Sequence, residues 1–169
     1  MPDAPGLELL AQELRDAHAE AVTGTEFFRN KGAIHVAPAT IVEVLETLRA
    51  KGFSRLMSVH GLDYYPEEPR FGVQYELLDM QAVDRITVKL RVPLSNPHVP
   101  SVTPRWPTAD FQEREVYDMF GVVFDGHPDL RRILMPEDYE GHPQRRDFPI
   151  GGEPIFFTYN EQKGTGYTR

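Results

Sequence analysis

The chain has 169 residues, 40% of them apolar and 26% charged, with 26 acids against 18 bases and a net charge of -8. That length suits one domain, or one domain with an appendage, and the acidic balance argues against sequence-blind nucleic-acid binding, which relies on neutralising phosphates. The absence of cysteine excludes disulfides, thiolate zinc sites, cysteine-ligated iron–sulfur clusters and cysteine nucleophiles, and no apolar run nears the ~20 residues of a membrane span.

The first residues, MPDAPGLELLAQEL, show neither the basic nor the apolar stretch of a secretory signal. If the protein works at a membrane, another chain is expected to hold it there. Leu7, Leu10, Leu14, Ala17 and Ala21 recur at helical spacing and predict a helix over 6–20. Thr25–Arg29 and Ala33–Ala37 are short β-like runs around Asn30, Lys31 and Gly32, a hairpin signal. Ile41, Val44, Leu45 and Leu48 form one face of a second helix over 38–50, with Pro38 in its first turn and Gly52 at its end. Leu56–Leu62, Phe71–Leu78 and Asp84–Val92 follow as strands. The order α-β-β-α-β-β-β predicts a compact α+β domain over 1–92, with a mixed, partly antiparallel sheet covered by helices on one face.

From residue 93 the character changes. Ten of the 15 prolines lie between Pro93 and Pro154, and proline removes a donor and restricts its neighbour. Ala109–Met119, closed by Gly121, is the one helix expected there. The rest of 93–169 reads as an extended arm. It is rich in Arg, Leu, Ile, Phe and Tyr, unlike a flexible linker, so it is expected to lie along a partner's surface. Gly151–Gly152 reads as an isolated turn.

Several residues of this half could carry chemistry. Glu113, Arg114, Glu115 and Asp118 crowd one helix, with Arg114 and Asp118 at i, i+4. They read either as a carboxylate pair for acid–base work or as an ion-pair network fixing the helix. The network is favoured, since proton transfer needs a pocket and a perturbed pKa. His127 and His142, each in a Gly-His-Pro triplet, lie near acids but match no zinc template. The pairs Arg131–Arg132 and Arg145–Arg146 could grip phosphate. However, no glycine-rich phosphate loop accompanies them, and Arg is enriched at protein interfaces. A stand-alone acid–base or metal enzyme using Glu113, Glu115, His127 and His142 is the competing reading.

The stretch EREVYDMFGVVFDGHPDLRRILMPEDYEGHPQRRDFP, Glu113 to Pro149, resembles the signature of the hydrophilic C-type subunit of the proton-pumping NADH:quinone oxidoreductase, respiratory complex I. Leu62–Asp63–Tyr64 and PSVTPRWPTADF fit the same pattern; Gln144 stands where the family pattern has Leu. The resemblance implies a non-catalytic peripheral-arm subunit with no cofactor of its own. FMN and iron–sulfur clusters sit in partner subunits, and NADH and quinone bind elsewhere. It implies docking chiefly on the D-type subunit, with the B-type and I-type subunits as further neighbours, on the cytoplasmic face of the cell membrane. Related ferredoxin-, deazaflavin- or hydrogenase-linked complexes use an equivalent subunit. Glu113, Arg114, Glu115, Asp118, His127, Arg131, Arg132, Arg145, Arg146 and Asp147 are the expected partner contacts.

Overall fold

The computed structural model describes residues 3–149, and the backbone of two further strands, β8 (Ile155–Phe156) and β9 (Tyr167–Thr168), which pair antiparallel. The remainder of the expected arm, including the Gly151–Gly152 turn, lies outside the described residues.

The chain opens with α1 (Ala4–Ala17), capped by the Asp3 carboxylate, which accepts from the Gly6 amide at 2.8 Å. The helix begins earlier than its apolar spacing predicts because the cap and Pro5 lie upstream of that spacing. It ends before residue 20. Glu20 takes a positive φ, and Ala21, expected on the helix face, is buried just before β1 (Val22–Phe28). β2 (Lys31–Val36) returns antiparallel. Arg29 and Asn30, both at positive φ, make a two-residue turn whose twist suits the hairpin.

A 3₁₀ turn at Pro38–Thr40 leads into α2 (Ile41–Ala50). Then β3 (Arg55–Asp63), β4 (Phe71–Asp79) and β5 (Asp84–Val92) form an antiparallel meander. β5 also pairs parallel with β2, giving the order β1-β2-β5-β4-β3. The expected α+β class and the mixed sheet are what the structure has.

Side-chain alternation makes the sheet one-sided. The pairs Phe71–Val92, Val73–Leu90, Tyr75–Val88 and Leu77–Ile86 line the buried face. The alternate pairs Gln74–Lys89 and Glu76–Thr87 line the other, where Thr87 Oγ1 donates to Glu76 at 2.9 Å. Among the described residues, the helices lie on the apolar face. On α1, the Leu7 side chain packs on Gly32, with Cδ1 3.0 Å from where a Cβ would stand.

Beyond Val92 the chain does not leave this core. Val99, Val102, Trp106, Ala109, Val116, Met119, Phe120, Val122 and Phe124 join the same apolar cluster as Leu7, Leu45 and Tyr75. β6 (His98–Pro100) and β7 (Val123–Asp125) pair parallel, flanking α3 (Ala109–Phe120). The sequence reading has only loop in place of these two strands, because three-residue strands carry no periodicity. Trp106 Nε1 donates to the Ser54 carbonyl at 3.0 Å, and Val116 and Phe120 of α3 lie over Gly61 of β3. An irregular course without regular elements begins only after β7 and runs from 126 to 149.

Candidate functional site

The site is α3 and the irregular segment 126–149 folded across it. α3 ends at Gly121, whose left-handed φ of 75° places its amide 2.8 Å from the Tyr117 carbonyl. A side chain there would collide with Arg145 and His142, so glycine serves both the cap and the close approach.

Two α3 carboxylates are fully buried, and each is used within the chain. Glu113 accepts from Ser101 Oγ at 2.6 Å and from the Val102 amide at 2.8 Å, while Ser101 also bonds Thr103. Burial pushes the Glu113 carboxyl above the usual glutamate range, and these donors only partly offset it. Asp118 accepts from three successive amides, Ile133, Leu134 and Met135, at 3.1, 2.7 and 2.8 Å, and from Arg132 Nη1 at 2.7 Å. Burial alone would raise Asp118, but the Met135 amide, Arg132 and the neighbouring amides outweigh it and hold the carboxyl below its usual range.

The other expected residues divide into those that bind the segment down and those that face outward. Arg114 donates to the Arg131 and Arg132 carbonyls, both at 3.1 Å; its expected i, i+4 pairing with Asp118 gives way to Arg132. The His127 ring is sealed from solvent. Its Nε2 lies 3.2 Å from the Asp110 carbonyl, and its Nδ1 accepts from the Asp129 amide at 3.0 Å. Arg145 Nε donates to the Phe120 carbonyl at 2.7 Å, with its guanidinium over the Phe71 ring. His142 Nδ1 lies 3.0 Å from the Asp118 carbonyl, and burial pushes its ring below the usual histidine range. Glu115, Arg131, Arg146 and Asp147 are exposed, as are the apolar Phe111 and Leu134.

At the far end lies a residue that no sequence motif flags. Arg70, 4% exposed, holds two carboxylates at once. Its Nε and Nη2 donate to Asp63 at 3.0 and 2.9 Å, and its Nη1 and Nη2 donate to Asp147 at 2.8 and 2.6 Å. Asp63 also accepts from the Arg146 and Tyr65 amides at 2.8 and 2.9 Å. Burial would raise Asp63, but Arg70 and these amides outweigh it and hold the carboxyl at about 2. Asp63 lies within the Leu62–Asp63–Tyr64 motif. Arg70 sits in a proline-rich turn whose sequence says nothing of a partner 77 residues away.

The four residues of the enzyme reading are not gathered into a centre. Glu113 points inward, Glu115 lies exposed, and the two histidines are engaged by different carbonyls. Among the described residues, no group of three His, Cys, Asp or Glu side chains is placed to hold a metal. No described helix is long and apolar enough to cross a membrane.

The family described as "Respiratory-chain NADH dehydrogenase, 30 Kd subunit" matches residues 34–154. The C-type subunit of the NADH-quinone oxidoreductase of Roseiflexus sp. (strain RS-1) is 45% identical over 155 residues, covering 90% of this chain and 89% of that one. Its counterpart in Roseiflexus castenholzii is 47% identical over 153 residues, covering 89% and 88%. Among solved structures, "Nqo5 of the trypsin-resistant fragment (1-134)" is 35% identical with a TM-score of 0.65, over 73% of this chain and 98% of that one. A chain of the membrane-bound sulfane sulfur reductase, an archaeal respiratory membrane complex, shares the fold with a TM-score of 0.71 at 24% identity, over 92% and 89%.

Proposed function

Because the chain belongs to the family of the 30-kDa subunit of respiratory-chain NADH dehydrogenase, we propose that it docks through α3 and segment 126–149 on the D-type subunit of an NADH:quinone oxidoreductase. Its role there is that of a peripheral-arm subunit of the enzyme complex, supporting assembly and electron transfer from NADH to quinone. The B-type and I-type subunits are further neighbours. FMN and the iron–sulfur clusters belong to partner subunits, and the assembly lies on the cytoplasmic face of the membrane.

The observation that carries the docking reading is the division of the expected contacts. Glu113, Asp118, His127, Arg132 and Arg145 are used inside the chain and fix the shape of segment 126–149. Arg114 ties the same segment to α3. What that shape leaves exposed is Glu115 and Arg131, the apolar Phe111 and Leu134, and, at the Arg70 end, Arg146 on the Tyr65 carbonyl and Asp147 on Arg70. Exposed aromatic and arginine side chains are residue types enriched at interfaces. The direct contacts are therefore the exposed residues, and the buried ones position them.

The test is Leu134→Asp together with Arg146→Ala in the intact complex, read by native-gel assembly and co-purification of the D-type subunit. Assembly is expected to fall, while the complexes that do form keep normal turnover per cluster. Full assembly with abolished quinone reduction would assign this surface a direct chemical role and overturn the proposal.

A further inference from the structure

We propose that residues 139–149 form a strap that closes reversibly over the C-terminal end of α3, hinged at the Asp118-anchored turn and latched by Asp147 on Arg70.

The fixed end is the turn at 132–135. Its amides and Arg132 converge on a carboxylate with no solvent exposure, so releasing it would strand a buried charge. From this segment, Leu130 and Met135 pack against the apolar core, on the hinge side.

The strap itself meets the three terminal carbonyls of α3 that the Gly121 cap, bonded to Tyr117, leaves over. A helix leaves its last four carbonyls without partners, and its C-terminal end favours cations. His142 Nδ1 reaches the Asp118 carbonyl at 3.0 Å, the Gln144 amide donates to the Met119 carbonyl at 3.2 Å, and Arg145 Nε donates to the Phe120 carbonyl at 2.7 Å. The aromatic rings of the strap pack on one another: Tyr139 and Phe148 stack with centroids 6.3 Å apart. The strap thus has a small aromatic pair of its own, and it meets the domain through these polar contacts and two ring contacts, His142 edge-on to Tyr117 and Arg145 over Phe71.

The latch differs from the hinge in what opening would cost. Arg70 keeps a two-point partner of its own in Asp63, and both side chains are nearly sealed, at 4% and 2% exposure. Its charge stays compensated when Asp147 leaves. The Asp147 side chain is 46% exposed even when closed, so it returns to water with little desolvation to recover. The same outer edge is held by the Arg146 amide on Asp63 and by Arg146 Nη1 on the Tyr65 carbonyl at 3.1 Å. Arg70 therefore serves as a permanent post with a releasable catch. Closure fixes Arg146 relative to Leu134; that this prepares a docking surface rests on the function proposed above, whereas the closure itself does not.

Hydrogen–deuterium exchange on the full chain alone tests it. In Asp147→Asn, the amides of Gln144, Arg146 and Phe148 are expected to exchange about five- to ten-fold faster, a partly exposed charged pair having been lost. The amide of Val88 in β5 is expected to be unchanged. Asp63→Asn, which leaves the buried Arg70 with only the half-exposed Asp147 as its counter-charge, is expected to speed exchange in β4 and β5 as well. Unchanged strap amides in Asp147→Asn would overturn the proposal, as would acceleration that spreads equally to β5. The experiment needs no partner, so its failure is distinct from a failure of docking.

Discussion

Asp118 and Arg132 meet at 2.7 Å where the irregular segment crosses α3, and the same carboxylate gathers the amides of Ile133, Leu134 and Met135. One buried aspartate thus takes the place of a strand or helix in organising the chain around it. Replacing it leaves three amides and a guanidinium without their acceptor. Asp118→Ala is expected to cost about 3–5 kcal/mol, as for a buried pair that loses one member. Urea unfolding checks this. A loss below about 1 kcal/mol would mean that water replaces the carboxylate freely.

Asp63 sets an acid limit on stability. Its carboxyl is lowered from 3.8 to about 2 in the folded chain. A group depressed by folding contributes stability that is complete above its unfolded pKa and is lost as the pH falls through the folded one. Its contribution, about 2 kcal/mol by linkage, is therefore expected to vanish between about pH 4 and about pH 2. Urea midpoints compared down that range should drop more steeply in the native sequence than in Asp63→Asn. Parallel curves would remove Asp63 from the account.

Glu113 should behave in the opposite sense. Its carboxyl is raised by burial, so the folded state holds the proton longer than the unfolded chain, and stability falls as the pH rises past the unfolded value. Glu113→Gln keeps the shape. Its amide oxygen can accept from Val102, and its NH₂ can donate to Ser101 Oγ, which rotates to accept. The variant is expected to lie within about 1 kcal/mol of the native sequence at neutral pH, whereas Glu113→Ala leaves the Val102 amide unpaired and costs about 2–4 kcal/mol. Thermal unfolding of the two variants side by side separates these outcomes. Equal losses would mean that the charge, not the hydrogen bonding, is what the site requires.

Gly61 is the contact point between β3 and α3. A Cβ there would stand 2.3 Å from Cδ2 of Phe120 and 3.1 Å from Cγ1 of Val116. Phe120 is itself buried, so the ring has little room to yield. Gly61→Ala is expected to cost about 1–3 kcal/mol through overpacking, seen as a lowered Tm. An unchanged Tm would show that α3 can shift along the sheet.

Sequence alone determined the elements whose signals are local. Leu7 and Leu14, Ile41 and Leu48, and the alternation from Phe71 to Val92 announce helices and strands because period 3.6 and period 2 are written in neighbouring residues. The family pattern from Glu113 to Pro149 was equally legible, since a motif is a string. Tertiary structure alone decided where those charges point. Nothing within the string distinguishes Glu113, sealed against Ser101 and Val102, from Glu115, open to solvent. The short strands β6 and β7 exist because each supplies the other's hydrogen bonds across the chain. Arg70 and Asp147 become a pair only after the meander and α3 have folded, and a hydrogen bond spanning 77 residues leaves no periodic trace. Local propensity acts through adjacent torsions; burial and long-range pairing act through space, and only the folded chain defines that space.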